Sequence, residues 1–270
     1  MCHGSLPLVL ARLAARAGLV VALAAGCLAA HAGEARVAVA TNFLKAMQAL
    51  APAFTAATGH TASISAGSTG KLYSQVVAGA PFDVLLAADA ATPARLLEEG
   101  HAVAGSAFPY AVGRLVLWSR DPGLVDGDGA VLASDRYRRL AVANPRLSPY
   151  GAAAREVLEA RGLDGLAGRR IVMGENIGQA WQFVATGNAE LGLVALSQVM
   201  APGQEPGGSL WRVPPELHGE IRQDAVLLAP GRDNEAAHAF LAWLRTPAAQ
   251  ATIRAFGYAA GQDMPPRSVP

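Results

Sequence analysis

Short apolar runs alternate along this chain with stretches whose apolar residues recur at helical spacing. Runs at 36–40, 61–66, 82–87, 112–118, 140–143, 170–173, 191–195 and 225–229 predict strands. Between the first two, Phe43, Met47, Leu50 and Phe54 share one helical face; near the C-terminus Ala236, Phe240, Trp243 and Leu244 repeat the pattern. Pro52 falls inside the first helical stretch and predicts a kink or an early end there. Residues 121–129 and 202–209, rich in Gly, Asp and Pro, read as surface loops. Strands alternating with helices predict an α/β protein whose parallel sheets are covered on both faces.

Composition narrows the class. The chain has 270 residues, enough for one large or two medium domains, with 52% hydrophobic residues, 16% charged residues and a net charge of +1. That balance does not point to nucleic acid. Residues 1–32 read as a signal peptide. Arg12 and Arg16 precede the apolar run 17–25, and Ala30-His31-Ala32 has the small-x-small pattern of a cleavage site after Ala32. The run is short for a membrane span. Export to the periplasm follows, with Gly26-Cys27 offering a less favoured lipid-anchored alternative, because Ala24 stands where such signals usually carry Leu. Cys2 and Cys27 both lie in this segment, so the exported chain has no disulfide and no thiolate site.

Four places share one pattern: an apolar strand, a small or polar turn, and a helix start. They are 37–43 with Thr41 and Asn42, 65–72 with Ser68 and Thr69, 142–151 leading through Pro149-Tyr150-Gly151, and 172–178 with Asn176-Ile177-Gly178. A helix start offers unpaired N–H groups and a partial positive charge, so an anion can be held there without a basic side chain. In parallel α/β sheets the ligand sits beyond the carboxyl ends of the strands. Each residue, taken singly, is also an ordinary cap. Gly67-Ser68-Thr69-Gly70-Lys71 is not a P-loop: only two residues separate the glycines and Leu72 follows the lysine. There is no Gly-x-Ser-x-Gly elbow, and the six histidines show no ligand spacing, so the chain does not read as an enzyme.

The ordered set Ala40-Thr41-Asn42-Phe43, Gly67-Ser68-Thr69-Gly70-Lys71-Leu72-Tyr73, Gly79-Ala80-Pro81-Phe82-Asp83 through Asp89, Asn144-Pro145 with Pro149-Tyr150-Gly151, Gly174-Glu175-Asn176-Ile177-Gly178-Gln179-Ala180 and Leu191-Gly192-Leu193-Val194-Ala195-Leu196-Ser197 resembles the molybdate-binding proteins of ABC transporters. These belong to the type II periplasmic binding protein superfamily, and the resemblance covers nearly all of the exported chain. It implies an oxyanion site made of Thr41, Asn42, Ser68 or Thr69, Tyr150 and the backbone of Ile177. Thr69 falls at the position aligned to the family's binding serine. Molybdenum would enter only as the bound oxyanion, molybdate or tungstate, with no other cofactor. Some members carry a binding Tyr where this chain has Ala195, so it resembles the branch that uses Tyr150; with Tyr150 turned away from the cleft, the cage would be one donor short. Asp83 and Asp89 are expected to be structural, since a carboxylate repels a dianion, and Asp89 or Thr92 to cap the helix near Pro93.

The expected architecture is therefore two α/β lobes, each a mainly parallel sheet flanked by helices, with the anion in the cleft between them. Residues 33–112 and 225–270 would form lobe I and 113–224 lobe II, with hinge crossings near 111–114 and 223–225. The expected partners are the oxyanion and a membrane permease, the expected state a monomer, and the expected action binding without chemistry. Alternatives are a receptor for sulfate or phosphate, a periplasmic enzyme on the same fold, or a sensor domain.

Overall fold

The structure, a computed structural model, describes residues 32–260; the signal-peptide reading of residues 1–32, apart from Ala32 itself, lies outside the described residues. Among the described residues no helix is long and apolar enough to cross a membrane.

Two sheets organise the chain. The first has six strands in the order β11-β4-β10-β3-β1-β2: β1 (Glu34–Ala40), β2 (Thr61–Gly67), β3 (Val84–Leu86), β4 (Phe108–Gly113), β10 (Ile221–Leu227) and β11 (Ala259–Ala260). The second has five in the order β7-β6-β8-β5-β9: β5 (Leu115–Ser119), β6 (Leu140–Ala143), β7 (Ile171–Gly174), β8 (Leu191–Ala195) and β9 (Ser209–Arg212). The helices α1 (Leu44–Thr58), α2 (Thr69–Val77), α3 (Ala91–Glu98), α7 (Glu235–Leu244) and α8 (Pro247–Ala255) belong to the first sheet's lobe. Those of the second are α4 (Pro149–Ala160), α5 (Ile177–Ala185) and the single turn α6 (Leu196–Val199).

Each sheet is mixed, with a parallel and an antiparallel half. β2, β1 and β3 run parallel in the first and β7, β6 and β8 in the second. The antiparallel half follows from the connection between lobes. The chain leaves the first sheet on β4 and returns on β10, so the two strands must run in opposite directions where they pair. The apolar run at 112–118 is accordingly two strands, and the chain crosses at Arg114 between them. The return was expected near 223–225. Those residues instead lie inside β10, paired with β4 and β3, so the chain re-enters the first sheet before Ile221. The polar trio Arg222-Gln223-Asp224 hides this strand start in the sequence.

The predicted helical faces make the first core. Phe43, Met47, Leu50 and Phe54 pack with Phe240 and Leu244 over β1 and β3, all fully buried. Each such side chain contributes about 1.5–3 kcal/mol relative to exposure. The second core gathers around Leu117, Leu140, Val157 and Leu193. Pro52 does not end α1, which runs on to Thr58. Its ring lies on the exposed face of the helix, where water can take the carbonyl that lost its partner.

Candidate functional site

The four turns named from the sequence all sit at the carboxyl ends of parallel strands. β1 ends at Ala40 and a one-turn helix, Thr41–Phe43, leads into α1. β2 ends at Gly67, and Ser68 is the N-cap of α2. β6 ends at Ala143, and Pro149 starts α4 with Tyr150 behind it. β7 ends at Gly174, and Asn176 caps α5 by accepting from the Gln179 N–H at 2.9 Å.

These turns meet across the lobes. The Gly178 N–H of α5 points at Thr41 Oγ1, 3.4 Å away. The Gly70 N–H of α2 donates to the Leu147 carbonyl at 3.0 Å. A Cβ on Gly70 would stand 3.2 Å from the Leu147 backbone, so a larger residue there would press the lobes apart. The Ser197 hydroxyl of α6 donates to the Asn42 carbonyl at 2.9 Å. Lys45 reaches from α1 to the Gln198 carbonyl and lies over the Trp181 ring. Lys71 pairs with Glu175 across the mouth, both half exposed. Between the lobes lies a cleft of about 370 Å³, walled by Gly70, Asp89 and Thr92 on one side and Arg146, Ser148 and Glu156 on the other.

The sequence-named residues are polar groups in a dry place. Asn42, Ser68, Thr69, Tyr150 and Ile177 are all buried, and Thr41 is half buried. Several of their donors are unspent. Ser68 Oγ is buried with no hydrogen-bond partner. Thr69 Oγ1 accepts from the Ala88 N–H at 3.1 Å, which leaves its own proton free. Tyr150 Oη accepts from Gln223 Nε2 at 3.1 Å and also faces the Asn42 side chain. Among the described residues, no group accepts from the backbone N–H of Asn42, Thr69, Tyr150 or Ile177. Buried donors normally find partners, and one left without costs about 1–3 kcal/mol. These donors lie at strand ends of both lobes.

Electrostatics agree. Burial pushes the Tyr150, Tyr110 and Tyr258 hydroxyls well above the ordinary tyrosine value, so they remain neutral donors. Asp83 lies outside the site. It receives Arg36 Nε, Nη2 and the Arg36 N–H at 2.9, 2.7 and 2.8 Å. Burial alone would raise its pKa, but the Arg36 bonds outweigh that and hold it below the ordinary aspartate value. Asp89 accepts from the Thr92 N–H at 2.7 Å at the start of α3, and burial pushes its pKa up.

Sequence reasoning missed the network beneath these residues. Asn42 Nδ2 donates to Gln223 Oε1 at 2.9 Å and to Tyr258 Oη at 3.1 Å; Tyr110 Oη lies 3.0 Å from both Gln223 Oε1 and the Ala87 carbonyl. Gln198 Nε2 donates to the Ile177 carbonyl at 3.0 Å and so fixes the α5 turn. Gln223 stands in the polar trio Arg222-Gln223-Asp224, which does not read as buried strand, and Tyr258 lies far off in sequence, so the sequence offered no signal for either.

Thr41, Asn42, Ser68, Thr69, Tyr150 and Ile177 do not line the cleft of about 370 Å³ itself; they lie at the strand ends of the two lobes, and a two-lobed fold of this kind is that of a solute-binding protein. Residues 35–259 match the family described as bacterial extracellular solute-binding protein, and the chain belongs to it. It is 54% identical to the molybdate-binding protein ModA of Azotobacter vinelandii over 242 residues, spanning 89% of this chain and 96% of the relative. It is 49% identical to the molybdate-binding protein ModA of Rhodobacter capsulatus over 240 residues, 89% of this chain and 92% of that one. The solved periplasmic molybdate-binding protein of Azotobacter vinelandii superposes with a TM-score of 0.82 at 43% identity, covering 83% of this chain and 98% of that chain. The sulfate-binding protein SubI from Mycobacterium tuberculosis, at 18% identity and a TM-score of 0.66 over 85% of this chain and 87% of that one, shares the fold alone.

Proposed function

We propose that this chain is the periplasmic, substrate-binding component of an ABC importer and that it captures molybdate. The observation that carries the reading is the set of buried neutral donors at strand ends of both lobes, among them the unpartnered Ser68 hydroxyl, in a chain half identical to two molybdate-binding proteins. The ligand donors are Thr41, Asn42, the hydroxyls of Ser68 and Thr69, Tyr150, and the backbone N–H of Ile177. The signal-like segment before Ala32 supports export.

The action is capture and release. Neutral donors at helix starts hold a dianion through dipoles, without the strong charge-assisted bonds an arginine would add, so the anion can be handed on. Selectivity follows from a donor-only site. A monoprotonated phosphate brings a proton that finds no acceptor, at a cost of about 1–3 kcal/mol. Sulfate has the right charge but shorter bonds and makes looser contacts. Tungstate, with the same shape and charge as molybdate, binds as well. The lobes close by a hinge motion at the crossings, and a membrane permease recognises the closed monomer.

The test is a thermal-shift titration with molybdate, tungstate, sulfate and phosphate. A ligand that binds only the folded state, present at a hundred times its Kd, adds about 2.7 kcal/mol. A rise in melting temperature with molybdate and tungstate alone is the expected result. No rise with any of the four sinks the oxyanion reading.

A further inference from the structure

Gln223 contributes no group to the proposed cage, yet it joins two of its members. It is fully buried on β10, the strand by which the chain returns from the second lobe. Its Oε1 takes Asn42 Nδ2 from the first lobe at 2.9 Å, and its Nε2 donates to Tyr150 Oη of the second lobe at 3.1 Å. The other crossing strand closes on the same spot. A Cβ on Gly113, the last residue of β4, would lie 2.1 Å from Tyr150 Oη and 2.6 Å from Gln223 Nε2. Only a glycine at that crossing lets the hydroxyl and the amide meet.

The direction of each bond follows from chemistry. The Asn42 carbonyl can only accept, and it takes the Ser197 hydroxyl at 2.9 Å and the Tyr258 hydroxyl at 2.8 Å. Tyr258 oxygen is thereby left to accept from Asn42 Nδ2, at 3.1 Å. The same Nδ2 turns the Gln223 amide so that its oxygen faces Asn42 and its NH₂ faces Tyr150. Tyr150 must then accept from Gln223 and point its own proton elsewhere.

We infer that Gln223 is a positioning residue for oxyanion selection: it holds Asn42 and Tyr150 in register across the hinge and forces the Tyr150 hydroxyl to act as a donor toward the anion. This rests on the oxyanion reading above. The network works as a proton-orientation relay, which favours a guest with no proton of its own.

The experiment compares Gln223→Glu and Gln223→Met with the unmodified protein purified from the periplasm, by calorimetric titration with molybdate from about pH 5 to about pH 8. Thermal melting without ligand checks that each variant folds. Near pH 8 the introduced carboxylate accepts the Tyr150 proton and repels the dianion, and affinity falls on the order of a hundredfold. As pH drops and that buried carboxyl takes up a proton, it again presents one acceptor and one donor, as the amide does, and affinity recovers at least tenfold. The unmodified protein and Gln223→Met show no such recovery, and Gln223→Met binds on the order of tenfold more weakly at every pH. A merely structural role would not produce a titration in one variant alone. Either variant binding within twofold of the unmodified protein at every pH, or Gln223→Glu losing affinity equally at all pH values, overturns the inference while leaving molybdate capture intact. No molybdate binding by the unmodified protein overturns both.

Discussion

Replacing Ser68 by Ala separates a ligand donor from a structural one, because the two effects have opposite signs. Ser68 is the N-cap of α2, but its hydroxyl makes no cap bond, and Oγ is buried with no partner. A cap serine that does its ordinary work costs about 0.5–2 kcal/mol on truncation to Ala. Here that bond is absent and the buried hydroxyl itself costs about 1–3 kcal/mol, so the variant should be as stable as the parent without ligand, or more stable by about 1 kcal/mol. For a domain of this size that is a rise of about 2–4 °C. With molybdate bound the hydroxyl donates to an anion, a bond worth about 1.5–3 kcal/mol, so affinity should fall roughly tenfold to a hundredfold. Melting curves without ligand, together with calorimetric titration of molybdate, read both quantities. A variant that melts several degrees lower yet binds molybdate as tightly as the parent would refute the reasoning and return Ser68 to the role of an ordinary cap.

Other expectations follow from the same geometry. Gly113→Ala brings a methyl within 2.1 Å of Tyr150 Oη, so unfolding free energy should drop by about 1–3 kcal/mol and molybdate affinity by more than tenfold, read by denaturant melts and titration. Asp83→Asn leaves the Arg36 guanidinium without its carboxylate and should cost about 2–4 kcal/mol in a urea melt at neutral pH, with ligand affinity unchanged. The Asp83 pKa is held below the ordinary 3.8, so its contribution is full well above that value and is lost as pH falls through it toward the depressed one; the variant should show a flatter acid limb in stability below about pH 5 and the same slope as the parent nearer neutral pH. Lys71→Ala removes a half-exposed ion pair with Glu175 and should change ligand-free stability by less than about 1 kcal/mol, with any loss of affinity shrinking as salt rises.

The sequence alone determined a great deal about this protein. Strand 140–143 and strand 191–195 were legible to the residue, because fully buried parallel strands are written as unbroken apolar runs. The α1 face was legible because Met47, Leu50 and Phe54, with Phe43 at the cap before them, keep helical spacing. The turns that carry Thr41, Ser68, Tyr150 and Ile177 were legible because a strand end followed by a helix start is a local pattern. Only the tertiary structure decided what those turns do together. Where β10 begins was hidden, since Gln223 and Asp224 are polar yet paired in a sheet. That Ser68 is orphaned while Thr69 binds Ala88, and that Gln223 joins Asn42 to Tyr150, depends on contacts between residues up to 181 apart in the chain. Hydrophobic periodicity reports which face of an element is buried; it carries no information on which polar atoms meet inside, because those partners are chosen by the packing of distant elements.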